Sequence, residues 1–489
     1  QHKMQSPSPL PQRDRLPFTT KAAYGLGTSI DMWSFWLYPS VAFAVFNMYL
    51  GVDPFYVGLA LTLIRLIDAF SDPFCGWISD NVRSKWGRRR PFILFAGIGA
   101  GVGLPVLFLV SPDWVGMSFM GAPVIFWYML ASSLIYIPVA SLFSMPWNSL
   151  GSELTPDYDE RTSLMTYKSA MQKVFEVGNF FALKFTNLSF FLFPAIFSTA
   201  DGEKKNTLLG MQAYTCILGL IMVIFAIVMF VKLKERYYET VAVKQKRIPI
   251  IRSLTQTLGC KPYRTMLYYA LSFQLGTSMV GTLGYYATVW YVCKGDNVLG
   301  DEWNFLNGLG GAILGFFGPP LFSIIAHKLT KKKAAIIACS VGILAYGSTW
   351  FLYNPTHPWM QILASGSIAF AGASFWMIHG SIGADIVDFD ELHTGERREG
   401  AFAAFGSWIL KLGNSLGNGI IPGLILKYSH FDASLPQQTP ETITWIRSSL
   451  ALFPVIGLTV AIFFMLKYPL TKERVLEIRK ELEARRGTV

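Results

Sequence analysis

The sequence predicts an all-α membrane protein in which twelve transmembrane helices form two six-helix bundles. Hydrophobic residues make up 52% of the 489 residues and charged residues only 15%, whereas soluble chains contain about 25% charged residues. Twelve separate apolar segments are long enough to span a bilayer, and a basic stretch at about 232–264 divides them six and six. This composition excludes a secreted disulfide scaffold, a disordered chain and an ordinary cytosolic enzyme.

The apolar segments follow one another at short intervals along the chain. In the first half they are expected at about 22–50, 54–79, 91–110, 122–146, 163–190 and 206–231. In the second half they are expected at about 265–293, 304–326, 334–353, 359–384, 401–426 and 445–467. Each provides the roughly 20 residues that a helix needs to cross the hydrocarbon core of a membrane.

Polar segments complete the domain organisation. We expect a tail at 1–21, a six-helix bundle at 22–231, a linker at 232–264, a second bundle at 265–467 and a tail at 468–489. Two six-span halves joined by a polar linker are the plan of the major facilitator superfamily, for which a monomer is the default expectation.

Lysine and arginine residues are concentrated on one side of this topology. They cluster in both tails, in the linker, and in the loops at 83–90 and 328–333, whereas the opposite loops contain few. By the positive-inside rule, both termini are cytoplasmic and the chain is a multi-pass protein of the plasma (inner) membrane. The net charge of +11 therefore reflects topology, and we expect no nucleic-acid partner.

Span 2 contains three charged residues, and a charge in hydrocarbon costs at least ~2.5–3.5 kcal/mol. Asp68 and Asp72 are one turn apart on one helix face, and Arg65 lies one turn before them. Two carboxylates this close repel each other, so one must be protonated or a cation must lie between them. Pro73 also leaves the Ala69 carbonyl without its usual helical partner. The pattern predicts a site for Na⁺ or a proton, with a buried Arg65–Asp68 pair as the structural alternative.

Charged and aromatic residues of other spans extend this prediction. Asp31 lies in span 1 and faces either the site or a wet vestibule, while Lys411 in span 11 either pairs with the carboxylates or reaches an interface. Small neighbours of Lys411, including Ser407, allow close helix approach. Tryptophans within spans suit either packing or sugar rings; they are Trp33, Trp36, Trp147, Trp376 and Trp408.

Three stretches, in the same order, resemble the glycoside–pentoside–hexuronide:cation symporter family. They are DAFSDPFCGWISDNVRSKWGRRRP, PWNSLGSELTPDYDERTSLMTYK and ADIVDFDELHTGERREGAFAAFGSWILKLGNSLGNG. The resemblance covers about the whole chain and implies the major facilitator fold and secondary active transport.

The resemblance also implies roles for individual residues. The cation-binding set is Asp68, Asp72, Ser141 and Lys411, with Asp68 and Asp72 as the Na⁺ ligands if coupling is to sodium. We expect a substrate-binding set, of which the resemblance implies the first three; it is Asp31, Arg65, Trp376, Trp147, Asn148, Ser144 and Ser407. We expect a gate set, of which the resemblance implies the last four; it is Arg88, Arg89, Arg161, Asp385, Asp388 and Glu391. The alternative for these charges is a solvated loop without gating energy. Ser144 replaces an acid of the family's type member, and Asn148 replaces an aromatic residue.

The sequence therefore predicts a symporter that imports a sugar, glycoside or uronide together with Na⁺ or H⁺ by alternating access. We expect no cofactor other than this coupling ion. An enzyme is not expected, because neither a nucleophile–base pair nor a metal-ligand spacing is present. Two alternatives remain: a lysolipid or amphiphile symporter of the same fold, and a transport-fold sugar sensor.

Overall fold

A computed structural model describes residues 16–82, 84–154, 158–199, 202, 204–234, 258–395 and 399–486. Residues 235–257 of the predicted linker, most of the N-terminal tail and the last three residues lie outside these ranges. In chain order the main helices are α1 (Phe18–Met32, Trp33–Leu37, Tyr38–Ala42 and Phe43–Tyr49), α2 (Pro54–Asn81), α3 (Arg90–Val106), α4 (Val124–Glu153), α5 (Tyr158–Leu192), α6 (Thr207–Lys232), α7 (Lys261–Thr277, Val280–Tyr286 and Ala287–Val292), α8 (Asn297–Lys328), α9 (Lys331–Leu352), α10 (Met360–Thr394), α11 (Glu399–Asn418 and Ile420–Tyr428), α12 (Pro440–Leu466) and α13 (Lys472–Arg486). A one-turn helix, Pro194–Phe197, follows α5, and strands β1 (Ser118–Phe119) and β2 (Ala122–Pro123) form a small hairpin before α4.

The helices largely coincide with the predicted apolar segments, but several are longer. Helix α10 continues to Thr394 rather than ending near 384, and α5 begins at Tyr158 rather than near 163. These extensions carry charged residues, which a hydropathy pattern assigns to loops although they continue the helix beyond the hydrocarbon region.

Two helices change their winding within the predicted spans. Helix α1 contains π-helical turns at Trp33–Leu37 and Phe43–Tyr49, and α7 ends in the π-helical segment Ala287–Val292. Wide turns of this kind displace the following side chains around the helix axis and are frequent at functional sites. Neither was predicted from the apolar pattern.

Eight of the described helices are long and apolar enough to cross a membrane: α2, α4, α6, α8, α9, α10, α11 and α12. Of the other five main helices, α13 is short and highly charged, and the remaining four depart from a simple span for physical reasons. Helix α3 has 17 residues, α1 and α7 are divided by π-helical turns, and α5 carries Lys168, Lys173 and Lys184.

Outward-facing surfaces of the helices are apolar, as expected for contact with lipid. On α6 the exposed residues recur at helical spacing on one face: Ile217, Leu220, Ile224, Ile227 and Val231. Because this stripe covers about four turns without a charged residue, it is suited to hydrocarbon rather than to water.

Within each half the helices pack mainly on one another. Helix α3 packs on α4 and α6, α2 packs on α4, and α1 packs on α5; likewise α8 packs on α10 and α7 packs on α12. Contacts between the halves are made chiefly by α2 with α11 and by α5 with α8. These two crossings position the side chains that lie between the halves.

The crossing of α2 and α11 depends on close backbone approach. A Cβ atom added at Gly419 would lie 2.3 Å from the Thr62 hydroxyl oxygen and 2.7 Å from the Gly58 carbonyl oxygen. A Cβ atom at Gly423 would lie 2.6 Å from the Pro54 carbonyl oxygen. Glycine is therefore required here for the two helices to touch.

The two ends of the helix bundle differ. We call the end with the connections 82–89 and 329–330 the linker end, and the end with 50–53, 293–296 and 429–439 the far end. The α2–α11 glycine contact lies toward the far end and brings the halves together there.

Candidate functional site

A cavity of about 720 Å³ lies between the two halves. Helices α1, α2 and α4 line it from one half and α7, α10 and α11 from the other. Tyr263, Val387 and Phe402, which are close to the linker end of their helices, form part of its wall. The cavity therefore extends from the middle of the bundle toward the linker end, while the glycine contact closes the far end.

Lys411 of α11 joins the acidic pair of α2 across the interface between the halves. Its ammonium group donates a hydrogen bond to one carboxylate oxygen of Asp72 and lies 3.2 Å from Asp68 Oδ2. Asp68 is fully buried, and Arg65 approaches the same Asp68 oxygen at 3.4 Å. The predicted pairing of Lys411 with carboxylates of the opposite half is thus present in the structure, and so is the Arg65–Asp68 pair.

One oxygen of each carboxylate remains available. Asp68 Oδ1 and Asp72 Oδ1 are buried and have no hydrogen-bond partner among the described residues. Nearby, the hydroxyls of Ser71 and Ser141 lie 3.2 Å apart. No group of three or more His, Cys, Asp or Glu side chains is placed to hold a metal ion within the described ranges. A Na⁺ ion at the acidic pair would therefore also need hydroxyl or carbonyl oxygens.

Arg65 is held by two partners besides its weak contact with Asp68. Its guanidinium donates to the carbonyl oxygen of Phe35 in α1 and lies 5.3 Å from the ring centroid of Trp36. The π-helical turn Trp33–Leu37 presents both of these residues to the cavity. An unusual turn of α1 thus places a carbonyl and an aromatic face beside the cation of α2.

Asp31 belongs to a second polar chain that leads away from the acidic pair. The Ser144 hydroxyl donates to Asp31 Oδ1 at 2.5 Å, and Asn148 Nδ2 lies 3.3 Å from that hydroxyl. Lys168 Nζ donates to Asn148 Oδ1 at 2.6 Å and lies 4.6 Å from the Trp147 ring centroid. Lys168 is thereby connected to Asp31 through two neutral side chains.

The predicted substrate-binding residues divide into two groups. Asp31, Arg65, Ser144, Trp376 and Ser407 line the cavity. In contrast, Trp147 and Asn148 are not part of the described cavity wall. Trp147 is fully buried, stacks between Tyr24 and Phe143, and donates to the Tyr24 carbonyl, so packing accounts for its position.

Several cavity residues were not among the predicted site residues. His379 stands beside Trp376 on α10, with the two ring centroids 5.4 Å apart, and Gln274 donates to Asn414 Oδ1 at 2.7 Å across α7 and α11. Trp36 is 44% exposed in the same space. A polar side chain inside an apolar segment is the sequence signal that would have found His379, Gln274 and Asn414.

The predicted gate residues lie toward the linker end. Asp385 is buried and forms an ion pair of 2.6 Å with Lys331, and Arg89 donates to the Ser79 hydroxyl at 2.9 Å. Asp388 and Glu391 are half-buried on α10, and Arg88 is half-buried before α3. The side chain of Arg161 lies outside the described residues.

These features define a membrane transporter with a central, charged cavity between two helical halves. The chain belongs to the family described as MFS/sugar transport protein, whose model matches residues 23–472. Its family and fold are those of transporters rather than enzymes.

Similar proteins have names that describe sugar carriers and symporters. The glucuronide carrier protein homolog of Escherichia coli K12 is 27% identical, with 96% of this chain and 97% of that protein covered. The isoprimeverose transporter of Lactiplantibacillus pentosus is 24% identical (95% and 91% covered), and the inner membrane symporter YicJ of E. coli K12 is 25% identical (94% and 94% covered).

Solved structures confirm the major facilitator fold. A bacterial homolog of the human lysosomal transporter Spinster, inward-facing and unoccupied, superposes with a TM-score of 0.67 at 14% identity (94% and 97% covered). A D-xylose–proton symporter superposes with a TM-score of 0.61 at 14% identity (93% and 98% covered). At these identities the likeness concerns the fold alone.

Proposed function

We propose that the protein imports a sugar, glycoside or uronide together with a cation, Na⁺ or H⁺, by alternating access. The observation that carries this proposal is Lys411, which bridges Asp68 and Asp72 in a cavity between the two halves. The names of the relatives, which include sugar carriers and symporters, support the substrate class and the use of a coupling ion.

The proposed coupling begins with competition for the acidic pair. In the cation-free state Lys411 neutralises the two carboxylates. A coupling cation at Asp68 and Asp72 takes over this neutralisation and releases Lys411 toward the cavity, because two cations held by the same pair repel each other. The substrate then binds between Asp31, Arg65 and the aromatic faces.

Thermodynamic linkage makes this arrangement a symport mechanism. If the cation raises substrate affinity by some factor, the substrate raises cation affinity by the same factor. Symport requires in addition that empty and doubly loaded carriers change conformation more readily than singly loaded ones, so that the two solutes move together.

The proposed topology follows from the same fold. Twelve spans, with both termini in the cytoplasm, form two bundles at 22–231 and 265–467 that rock about the midplane site. In this orientation the linker end is cytoplasmic, and the cavity of the present structure faces inward. The residues toward the linker end, including Arg89 and Asp385, would then separate or meet as the cytoplasmic side opens and closes.

The two alternatives find less support in the site. A lysolipid pathway calls for a wide apolar opening, whereas five charged side chains line this cavity: Asp31, Arg65, Asp68, Asp72 and Lys411. A sensor that binds sugar without moving it has no use for a cation-dependent acidic pair.

The experiment is to compare accumulation with counterflow for Asp72→Asn in proteoliposomes. Accumulation requires cation coupling, whereas counterflow requires only exchange of labelled for unlabelled sugar. We expect Asp72→Asn to abolish accumulation and to retain a measurable part of counterflow. Asp432→Asn removes an exposed carboxylate from a far-end loop and is the matched control, expected to behave as wild type. Full cation-driven accumulation by Asp72→Asn would remove the proposed coupling role.

A further inference from the structure

The charged side chains of the central site balance one another. Three of them are acidic and three are basic; they are Asp31, Asp68, Asp72, Arg65, Lys168 and Lys411. Lys411 and Arg65 contact the acidic pair directly, and Lys168 reaches Asp31 through Asn148 and Ser144.

Ion pairs closer to the two ends of the bundle leave this balance unchanged. Lys331 pairs with Asp385, and Lys184 pairs with Glu302, so each pair contributes one charge of each sign. Within the described residues, the central site is therefore electrically neutral before any solute binds.

A neutral site gains one net positive charge when it takes up one coupling cation. An uncompensated charge in a buried site is strongly disfavoured, because the low local dielectric does not screen it. A neutral sugar would leave this charge in place, whereas a singly negative substrate would cancel it.

Resting on the function proposed above, we propose that the substrate is a carbohydrate with a single negative charge, a carboxylate or a sulfonate. The anionic group binds after the coupling cation has taken over the acidic pair. Arg65 and Lys411 have then lost their carboxylate partners and can pair with the substrate instead.

The geometry of the site suits this substrate. Arg65 and Lys411 line the cavity together with the acidic pair, so a cation bound at the pair leaves two donors at the cavity wall. A guanidinium binds a carboxylate or sulfonate through two parallel hydrogen bonds. Trp36 and Trp376, both partly exposed in the cavity, offer aromatic faces to the sugar ring.

The most direct test measures the effect of membrane potential on transport by the wild-type protein. Proteoliposomes receive a potassium diffusion potential of about 100 mV, negative inside, with equal coupling cation on both sides. One cation moving with one monoanion carries no net charge, so the potential should not drive accumulation. If one cation moved with a neutral sugar, this potential would drive accumulation of the sugar to an inside-to-outside concentration ratio of up to about 50.

Matched substrates separate charge from shape. Methyl β-D-glucuronide and methyl β-D-glucoside differ only at C6, and the corresponding galactosides form a second pair. A 6-deoxy-6-sulfo glucoside distinguishes a sulfonate from a carboxylate. In the presence of the coupling cation, we expect the anionic member of a pair to reach half-maximal uptake at a concentration at least about tenfold lower than its neutral partner.

Ser144→Asp tests the charge balance by a single change. It adds a carboxylate beside Asp31 and should shift the preference toward the neutral glycoside, because the cation-loaded site is then neutral without an anionic substrate. Ser144→Asn is of similar size but uncharged, and we expect it to retain the anionic preference even where the overall rate falls.

The outcomes separate this inference from the function on which it rests. Cation-dependent accumulation of neutral glycosides that equals or exceeds that of the anionic ones, driven by potential, would overturn the inference while leaving symport intact. If none of these sugars accumulates with a Na⁺ or H⁺ gradient, the proposed function itself fails and the inference fails with it.

Discussion

At the scale of single residues, Lys411 is the side chain on which the site depends. It is the one cation of the described site that contacts both Asp68 and Asp72, and it does so from the opposite half of the molecule. Its removal leaves two carboxylates one turn apart with only the longer contact of Arg65 to Asp68.

Lys411→Ala should therefore impair accumulation more than exchange. Without the competing ammonium, the pair holds its cation too firmly, or holds a proton instead, and the empty carrier no longer returns readily. We expect counterflow to be retained in part while the steady-state accumulation ratio falls toward one. Equal loss of both activities would instead indicate a structural role for Lys411.

Arg65→Lys tests the importance of the guanidinium shape. Arg65 donates to the Phe35 carbonyl while it approaches Asp68, and one ammonium group cannot reproduce this planar fork. We expect the apparent substrate affinity to fall by about tenfold with the cation dependence retained, as measured by uptake at varied substrate concentrations. An unchanged affinity would exclude Arg65 from substrate binding.

Much of the site could be predicted at this scale. Charged residues in apolar segments are conspicuous, so Asp31, Arg65, Asp68, Asp72 and Lys411 could be recognised from the sequence, and the structure places all five at one cavity. The role of a tryptophan in an apolar segment cannot be recognised in the same way, because tryptophan serves both in packing and in binding. Trp147 is consequently buried in packing, whereas Trp36 faces the cavity.

At the scale of helices, the contact of α2 with α11 determines how the far end closes. Both backbones must approach without side chains at Gly58 and Gly419, since a Cβ atom on Gly58 would lie 2.4 Å from the Gly419 carbonyl oxygen. This contact can be broken without changing any charge of the site.

Gly419→Ala should favour the conformation that is open at the far end. The added methyl group clashes with the Thr62 hydroxyl and the Gly58 carbonyl, and both clashes disappear when the halves separate there. The measurement is alkylation, by an impermeant reagent from the far-end side, of a cysteine that replaces Trp36 in a cysteine-free background. We expect faster labelling for Gly419→Ala than for its parent.

Gly347→Ala is the matched control for this prediction. Gly347 lies within α9, and a Cβ atom there would meet nothing within 4 Å. Labelling should remain at the parent rate. Equal acceleration by both substitutions would show that loss of glycine, rather than the clash, changes the conformation.

Apolar length and periodicity predict the helices well but do not predict their irregularities. Hydropathy does not distinguish the π-helical turns of α1 and α7 from regular α-helix, because the apolar pattern continues through them. The turn at Trp33–Leu37 matters for function because it presents Phe35 and Trp36 to Arg65.

At the scale of the whole molecule, an ionic contact joins the two halves at the far end. Lys205, in the connection before α6, pairs with Asp301 of α8, which is fully buried and also accepts a hydrogen bond from the Tyr285 hydroxyl at 2.5 Å. Lys205 donates to Asn187 Oδ1 at 2.6 Å, and Asn187 donates to the Val298 carbonyl. This network holds the far end shut in the present conformation.

Asp301→Asn should shift the carrier toward the far-end-open conformation. Breaking a buried ion pair by removing one partner destabilises the conformation that contains the pair by about 3–5 kcal/mol. Here that conformation is the one closed at the far end. The alkylation assay described above should report faster labelling. Glu302→Gln removes the neighbouring but partly exposed pair with Lys184 and should change labelling little, since exposed pairs contribute about 0–1 kcal/mol.

The arrangement of the halves could be foreseen only in outline. Six spans, a basic linker and six further spans indicated the major facilitator fold, and the family match and the superposed structures confirm that fold. Which face of each half meets the other, and which end is closed, depends on side-chain contacts between distant segments such as Lys205 with Asp301, and these are not visible along a single chain.

The account depends most directly on movement of an ion with the solute. The decisive measurement is substrate-induced cation flux in proteoliposomes that contain the full-length protein and no imposed gradient, followed with radioactive sodium and a pH-sensitive dye. We predict that inward transport of substrate carries Na⁺ or H⁺ inward with it, and that Asp72→Asn abolishes this flux. Substrate transport that moves neither ion would contradict the account.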